Sequence, residues 1–502
     1  MTEDTHGKQK EEQAADKDKK EEKPAPKDNL VETKHSVTIG GKEIKYTALT
    51  GTIVMKEELP DREKEYEGEK PRAQFFFIAY TRDDVEERGN RPITFAFNGG
   101  PGSSSVWLHM GALGPRRVVL KEDGQLPPPP FRLTDNEYSL LDVTDLVFID
   151  PVSTGYSRPV EGQKAREWHG FKKDISSVGD FIRLYTTRYN RWLSPKFLVG
   201  ESYGTTRASG LADYLQDRHG MYLNGIMLIS TALDFTALDF FVNNEVPYVM
   251  FLPGYAATAW YHGKLKMRRP LQSLLREVEK FAAGEYAAAL LQGDKLPKRE
   301  RAQIVQKLAR YTGLSPEFIG RSNLRVNDQH FFKELLRDRG QTVGRLDSRL
   351  LGRDRLGVTE KPEYDPLMTT TSGPYTATFY DYVRSGLKFE ADIPYEIITE
   401  FVWPWSYSEF ENQFVNVGEK LRSAMTHNPY LKVIVASGYF DLGTPYFASE
   451  YVVNHLGLDE SIRKNLSMAY YEAGHMMYIH LPSLAKLKDD LAGFIQSAIP
   501  GA

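Results

Sequence analysis

Cysteine is absent from all 502 residues. That excludes disulfides, thiolate nucleophiles, iron–sulfur clusters and cysteine-containing zinc sites. A dominant charge is absent too. Sixty-four Lys and Arg against 68 Asp and Glu leave a formal net charge of −4, so nothing draws the whole chain toward nucleic acid or acidic lipid. No window approaches the roughly 20 apolar residues that cross a bilayer. The first thirty residues hold no aromatic and no apolar run. Such a segment cannot offset its ordering entropy by burial, so residues 1–30 are expected to be a solvated charged tail. It also lacks the apolar stretch of a secretory signal. The chain as written is therefore expected in the cytoplasm, or in the periplasm or outside the cell if the true start lies upstream. What is present, 41% hydrophobic and 12% aromatic residues, is enough for a large globular core.

The order of elements predicts a fold class. Ser36–Ile39 and Glu43–Tyr46 flank Gly40-Gly41 and read as a β-hairpin. Strand-like runs follow at 73–80, 93–97 and 146–150. Apolar residues at helical spacing (Phe171, Ile175, Val178, Ile182, Tyr185) then predict a helix within 168–192. Strand 196–199, helix 205–217 and strand 223–230 continue the alternation, which resumes late with strand 432–436, helix 446–456, strand 466–471 and helix 483–495. Strands alternating with helices mean a mostly parallel sheet covered on both faces. Between about 256 and 370 the reading is helical, and basic up to about Leu356, with Arg268-Arg269, Lys298 to Arg301 and Arg345 to Arg355. Glu277, Glu279 and Glu300 interleave with these cations, which favours a solvated helical face over a nucleic-acid site. The chain is thus expected to be one α/β core over 31–255 and 371–502, interrupted by a helical insertion.

Gly200-Glu201-Ser202-Tyr203-Gly204 matches G-x-S-x-G. Alone it is weak, since glycine and serine frequencies give on the order of 0.2 such matches by chance in a chain this long. Its place between a β run and a helix is what a nucleophile elbow needs, because a sharp turn there lifts the serine above the sheet edge. An ordinary βα turn with a serine N-cap is the plain alternative. A serine nucleophile needs a base, and the base an orienting acid, in the chain order Ser, acid, His. Asp441 follows strand 432–436 and His475 follows strand 466–471, each on a loop. His455 lies inside a helix and His480 opens one, so both fit worse. Asn98-Gly99-Gly100-Pro101-Gly102 after strand 93–97 allows backbone N–H groups to approach a ligand and suits an oxyanion hole completed by the N–H of Tyr203. A phosphate loop fits poorly, because Pro101 removes a donor and no GK[ST] follows.

Together FNGGPGSSS (97–105), DPVSTGYS (150–157), GESYG (200–204), SGYFDLGTP (437–445) and EAGHM (472–476) resemble the serine carboxypeptidase family of α/β-hydrolases. The resemblance covers about residues 90 to 480 and implies an α/β-hydrolase fold with a helical cap. It implies Ser202 as nucleophile, His475 as base and acid, and Asp441 as its orienter. Gly100 and Tyr203 would form the oxyanion hole. Asn98, Gly99 and Glu201 would hold a substrate's terminal carboxylate, which implies best peptidase activity at acidic pH, since two neighbouring carboxyl groups must share a proton. No metal and no cofactor is implied, and the expected partner is a peptide, with no nucleic acid and no membrane. Two positions depart from the family: Ala96 stands where a Trp is common and Ala112 where an acid is common. Ser103 replaces the usual cysteine, which implies a cysteine-free, bacterial member. Serine carboxypeptidase is the first reading. A serine hydrolase or acyltransferase acting on esters or amides is the second, and a non-catalytic scaffold using the basic insertion is the third.

Overall fold

The computed structural model describes residues 26–58, 68–266 and 269–499. The expected tail lies outside the described residues up to position 25, and Asn29 and Leu30 already belong to the first strand. Arg268 of the basic segment also lies outside.

Ten strands form one twisted sheet: β1 Asn29–Ile39, β2 Lys42–Glu58, β3 Glu69–Arg82, β4 Ile93–Phe97, β5 Asp145–Ile149, β6 Arg158–Pro159, β7 Lys196–Ser202, β8 Gly225–Thr231, β9 Lys432–Gly438 and β10 Leu466–Tyr471. Their order is β1-β2-β3-β5-β4-β7-β8-β9-β10, with β6 paired to β3. Strands β1 to β3 are antiparallel, and β3 meets β5 antiparallel. From β5 onward every neighbouring pair is parallel. The first hairpin turns as expected, with Ile39 opposite Lys42 and positive φ at both Gly40 and Gly41 (55° and 77°), the geometry that a two-residue turn between twisted strands demands.

The period-2 alternation of the strands divides the core. Phe75, Phe77, Phe95, Phe97, Val147, Ile149, Leu198 and Leu228 face one way, packed on helices α1 (Phe171–Arg188) and α2 (Tyr203–His219). Phe76, Ile78, Ala96, Phe148, Val199 and Ile229 face the other, packed among aromatics of 375–389 and the C-terminal helix. Strands buried on both faces read as continuous apolar runs, as ITFAF and DLVFI do. The architecture is therefore α/β, mostly parallel, covered on both sides.

Helix α3 (Val246–Tyr261) straddles the boundary expected near 255, because Phe251, Leu252 and Tyr255 pack into the same core as the strands. Helices α4 (Leu271–Phe281) and α5 (Lys298–Thr312) follow, and their apolar stripes join that core. Many of the region's cations are paired, Arg269 with Glu277 and Arg325 with Glu245 among them. One expectation is corrected: helix does not continue to Leu356. Residues 340–365 are loop with a two-strand ribbon, Thr342–Val343 against Leu351–Gly352. Gly344 explains part of this, since a Cβ there would lie 2.5 Å from the Asp347 carbonyl oxygen. Helices α6 (Pro366–Asp381), α7 (Gly418–His427), α8 (Tyr446–Asn454) and α9 (Leu481–Ser497) complete the chain. Among the described residues no helix is long and apolar enough to cross a membrane.

Candidate active site

Strand β7 ends at Ser202 and α2 begins at Tyr203 with no intervening loop. The serine pays for that sharp reversal with φ 60° and ψ −129°, a conformation that side chains rarely adopt and that concentrates at functional positions. Only glycine fits two residues earlier: a Cβ on Gly200 would lie 2.1 Å from the Gly204 carbonyl oxygen. The loop after β4 presses onto the same turn, and a Cβ on Gly99 would lie 2.5 Å from the backbone nitrogen of Tyr203. Gly100 follows with φ 102°.

Strands β9 and β10, separated from β7 by β8, carry the other two expected residues. His475 Nδ1 lies 2.7 Å from Asp441 Oδ2, with both side chains buried. Asp441 Oδ1 accepts from the backbone of Gly443 and Thr444 (2.8 and 2.9 Å), and Oδ2 from the Thr444 hydroxyl (2.8 Å). An ionised carboxylate only accepts, so Nδ1 carries a proton and Nε2 is the free basic nitrogen. The backbone of His475 is clamped at both ends, its N–H donating to Leu346 O (2.6 Å) and its carbonyl accepting from Ser230 Oγ (2.7 Å). Burial alone would push the imidazolium down, but the Asp441 charge and hydrogen bond prevail and hold His475 above the ordinary value.

Glu201 joins the two halves. Its carboxyl is buried, accepts from Asn98 Nδ2 at 3.2 Å, and feels the charges of His475 and Asp441. Burial pushes it up to about 7. Asn98 is itself fixed by Leu108 N–H donating to its Oδ1 (3.0 Å). The eight residues singled out in the sequence thus gather at the carboxyl edge of the sheet, where a parallel α/β sheet offers a crevice.

Three further groups support the site, and none was given a role from the sequence, although Ser105 and Asp150 lie in the quoted motifs. Arg207 Nε donates to Asp174 Oδ2 (2.8 Å) and its Nη1 to the Asn98 carbonyl (2.6 Å), while its guanidinium lies over the Phe97 and Tyr203 rings at 5.3 Å from each. This buried ion pair joins the loop after β4 to the turn at Ser202. A signal existed: Asp174 falls on the apolar stripe of Phe171, Ile175 and Val178, where an unpaired charge is not tolerated. Asp150, held up to about 6 by burial, accepts from both the N–H and the hydroxyl of Ser105 (2.8 and 2.7 Å). Segment 396–406 braces the loop from outside, with Ser104 N–H to Ile397 O (2.9 Å) and Thr399 N–H to Gly102 O (3.0 Å). Ser103, standing at the family's cysteine position, accepts from Trp107 Nε1 at 2.9 Å. Hydrogen bonds hold this loop without a disulfide.

Residues 65–498 match the family described as serine carboxypeptidase. The chain belongs to the serine carboxypeptidase family. It is 32% identical over 137 residues to pheromone-processing carboxypeptidase KEX1 of Saccharomyces cerevisiae, a match covering 26% of this chain and 18% of that protein. It is 28% identical over 163 residues to serine carboxypeptidase-like 33 of Arabidopsis thaliana, covering 30% of each. The matched stretches therefore span less than a third of these curated relatives. The crystal structure of the S. cerevisiae KEX1 prohormone-processing carboxypeptidase superposes with a TM-score of 0.52 at 17% identity, covering 90% of this chain and 92% of that one. At that identity the likeness establishes the serine carboxypeptidase fold alone.

Proposed function

We propose that the protein is a serine-type carboxypeptidase that hydrolyses C-terminal peptide bonds through an acyl-enzyme on Ser202. Ser202 Oγ attacks the scissile carbonyl and its proton passes to His475 Nε2. The oxyanion is met by the N–H groups of Gly100 and Tyr203. His475 then returns the proton to the leaving amine, and water repeats the cycle in reverse on the ester. Asp441 stabilises the imidazolium formed between the two transfers. In this reading the helical insertion, about residues 256–370, serves as a cap over the cleft.

The observation that carries the exopeptidase reading is the buried Asn98–Glu201 pair beside the nucleophile. A carboxyl pushed up to about 7 is uncharged in mildly acid solution and can lie next to a substrate carboxylate without repulsion. The sign of the pH effect follows. Below about pH 7 Glu201 keeps its proton and the free acid binds; above it, two carboxylates would face each other. His475 must be neutral to accept a proton, so activity also falls on the acid side. Blocked dipeptides with a free carboxylate are expected to give a bell-shaped kcat/KM profile, while the corresponding C-terminal amides lose the alkaline limb. Ser202→Ala is expected to lower kcat by on the order of 10⁶. Equal turnover by the variant would end the proposal. Equal profiles for acid and amide would favour the ester or amide hydrolase, which the small side chains of Ala96 and Ala112 also suit.

A further inference from the structure

The basic run from Arg345 to Arg355 is only partly neutralised. Arg349 lies against Asp347, its Nε and Nη2 donating to the two carboxylate oxygens (2.9 and 2.6 Å). Arg345 is different. Its side chain is exposed and makes no hydrogen bond or ion pair among the described residues. Its backbone, by contrast, is fixed. The Arg345 carbonyl accepts from Leu442 N–H (2.9 Å), and the carbonyl of the next residue, Leu346, accepts from His475 N–H (2.6 Å). A free guanidinium is thus anchored between the turns that carry the proposed acid and base.

The guanidinium lies beside that pair without belonging to it. A Cβ on Gly443 would lie 3.1 Å from Arg345 Nη1 and 3.3 Å from Asp441 Oδ1, so both groups border the same glycine. The Arg345 charge also disfavours the imidazolium of His475. Asp441 has no acceptor site left for Arg345. It already accepts from Gly443 N–H, Thr444 N–H, the Thr444 hydroxyl and His475 Nδ1, and a carboxylate offers about four such sites. Asp365, the acid beside Leu346, is turned to the N–H groups of Leu346 and Leu367 (3.0 and 2.9 Å). What remains is a planar donor fork at an open position, and its match is an ionised carboxylate in a bidentate pair.

We infer that Arg345 is a specificity-determining residue that selects an acidic side chain, aspartate or glutamate, on the acyl side of the scissile bond. This rests on the carboxypeptidase reading and names a substrate class within it. The side follows from what borders the Asp441–His475 pair. Glu201, proposed to meet the leaving residue, lies with Asn98 and Tyr478 on one flank of that pair. Arg345 meets the pair at Gly443, on the loop after β9. The guanidinium therefore stands away from the leaving residue's carboxylate and toward the residue whose carbonyl is attacked.

Binding without turnover separates this inference from the mechanism. In Ser202→Ala protein, blocked dipeptides with Glu, Gln or Lys on the acyl side and one common C-terminal residue are titrated calorimetrically at about pH 6, where the glutamate is ionised. The Glu ligand is expected to bind about tenfold more tightly than the Gln ligand, and the Lys ligand most weakly. Arg345→Gln is expected to erase the preference for Glu over Gln, and Arg345→Glu to turn it toward Lys. The same ratios are expected in kcat/KM of the active enzyme. Equal binding of Glu and Gln ligands before the change, or a preference that survives Arg345→Gln, overturns the inference. Equal weakening of all three ligands overturns it too. Shared by the C-terminal amides, that loss marks a role in holding the loop; absent from them, it marks a contact with the terminal carboxylate. If Arg345→Gln does not fold, salt decides, since the Debye length falls from about 30 Å at 0.01 M to about 3 Å at 1 M. A preference lost at high salt supports the ion pair, and an unchanged one overturns it. Failure of the peptidase reading shows separately, as equal turnover by wild type and Ser202→Ala.

Discussion

The two halves of the site are built from different materials. Around Ser202 the holding groups are side chains and glycines of the α/β core: the Arg207–Asp174 pair, Asn98, and the close contact of Gly99 with Tyr203. Around Asp441 and His475 the holding groups include backbone atoms of the loop 345–348, which arrives from the helical region. Leu442 N–H donates to Arg345 O (2.9 Å), Ser348 N–H to Phe440 O (3.0 Å), and His475 N–H to Leu346 O (2.6 Å). The loop threads between the turns that carry the acid and the base. The nucleophile is thus positioned by the core alone, whereas the base is held jointly by Ser230 of the core and by the loop from the helical region, so damage to each half should read out differently.

The largest expected effect lies in the core half. Arg207→Met strands the Asp174 carboxylate in a buried site, a loss of about 3–5 kcal/mol of stability. Replacing both partners, Asp174→Leu with Arg207→Met, is expected to restore most of the stability but not kcat, because the Asn98 carbonyl and the Tyr203 ring lose their common anchor. Thermal unfolding read beside kcat checks this, and full activity in the double variant would reduce the pair to a structural role.

Next comes Gly474→Ala in the other half. Its Cβ would lie 2.5 Å from the Asp347 side chain, so the loop 345–348 and His475 must part. A displacement of about 1 Å costs on the order of 10² in kcat, and here the acid limb of the pH profile should move with it. Gly99→Ala gives the contrast, losing rate through the oxyanion hole while that limb stays in place. Identical pH profiles for the two variants would dissolve the distinction between the halves.

The smallest effect is expected from Ser348→Ala. Ser348 Oγ lies 2.6 Å from Thr258 Oγ1 and donates to Phe440 O at 3.0 Å, tying α3 to the Asp441 loop. Its loss is expected to lower stability by about 1 kcal/mol and to slow turnover only a few-fold. A Tm shift without any change in rate would show that this tie serves the fold alone.

Much of this was legible in the chain. The sheet strands announced themselves because burial on both faces leaves unbroken apolar runs, and β4 and β10 fall at the expected residues. The helix over 168–192 was readable too, trimmed to Phe171–Arg188. Asp441 and His475 could be found because a loop after a late parallel strand is the only place where an acid and a base can reach a serine at the sheet edge. The run from Arg345 to Arg355 was not legible as loop. Its cations suggested a solvated helix, while its conformation is set by contacts with turns about a hundred residues later.

The sequence by itself determined which residue types exist to do chemistry, the order in which they follow strands, and the absence of any cysteine to brace them. Local periodicity and turn chemistry are enough for that, since they act over a few residues. Only the tertiary structure decided what braces the loop at Ser103, which partner satisfies Asp174, and which side chains, Asn98 and Tyr478 among them, lie against the buried Glu201 carboxyl. Those facts depend on segments far apart in the chain meeting in a dry interior, where every unpaired polar atom is costly and so becomes informative.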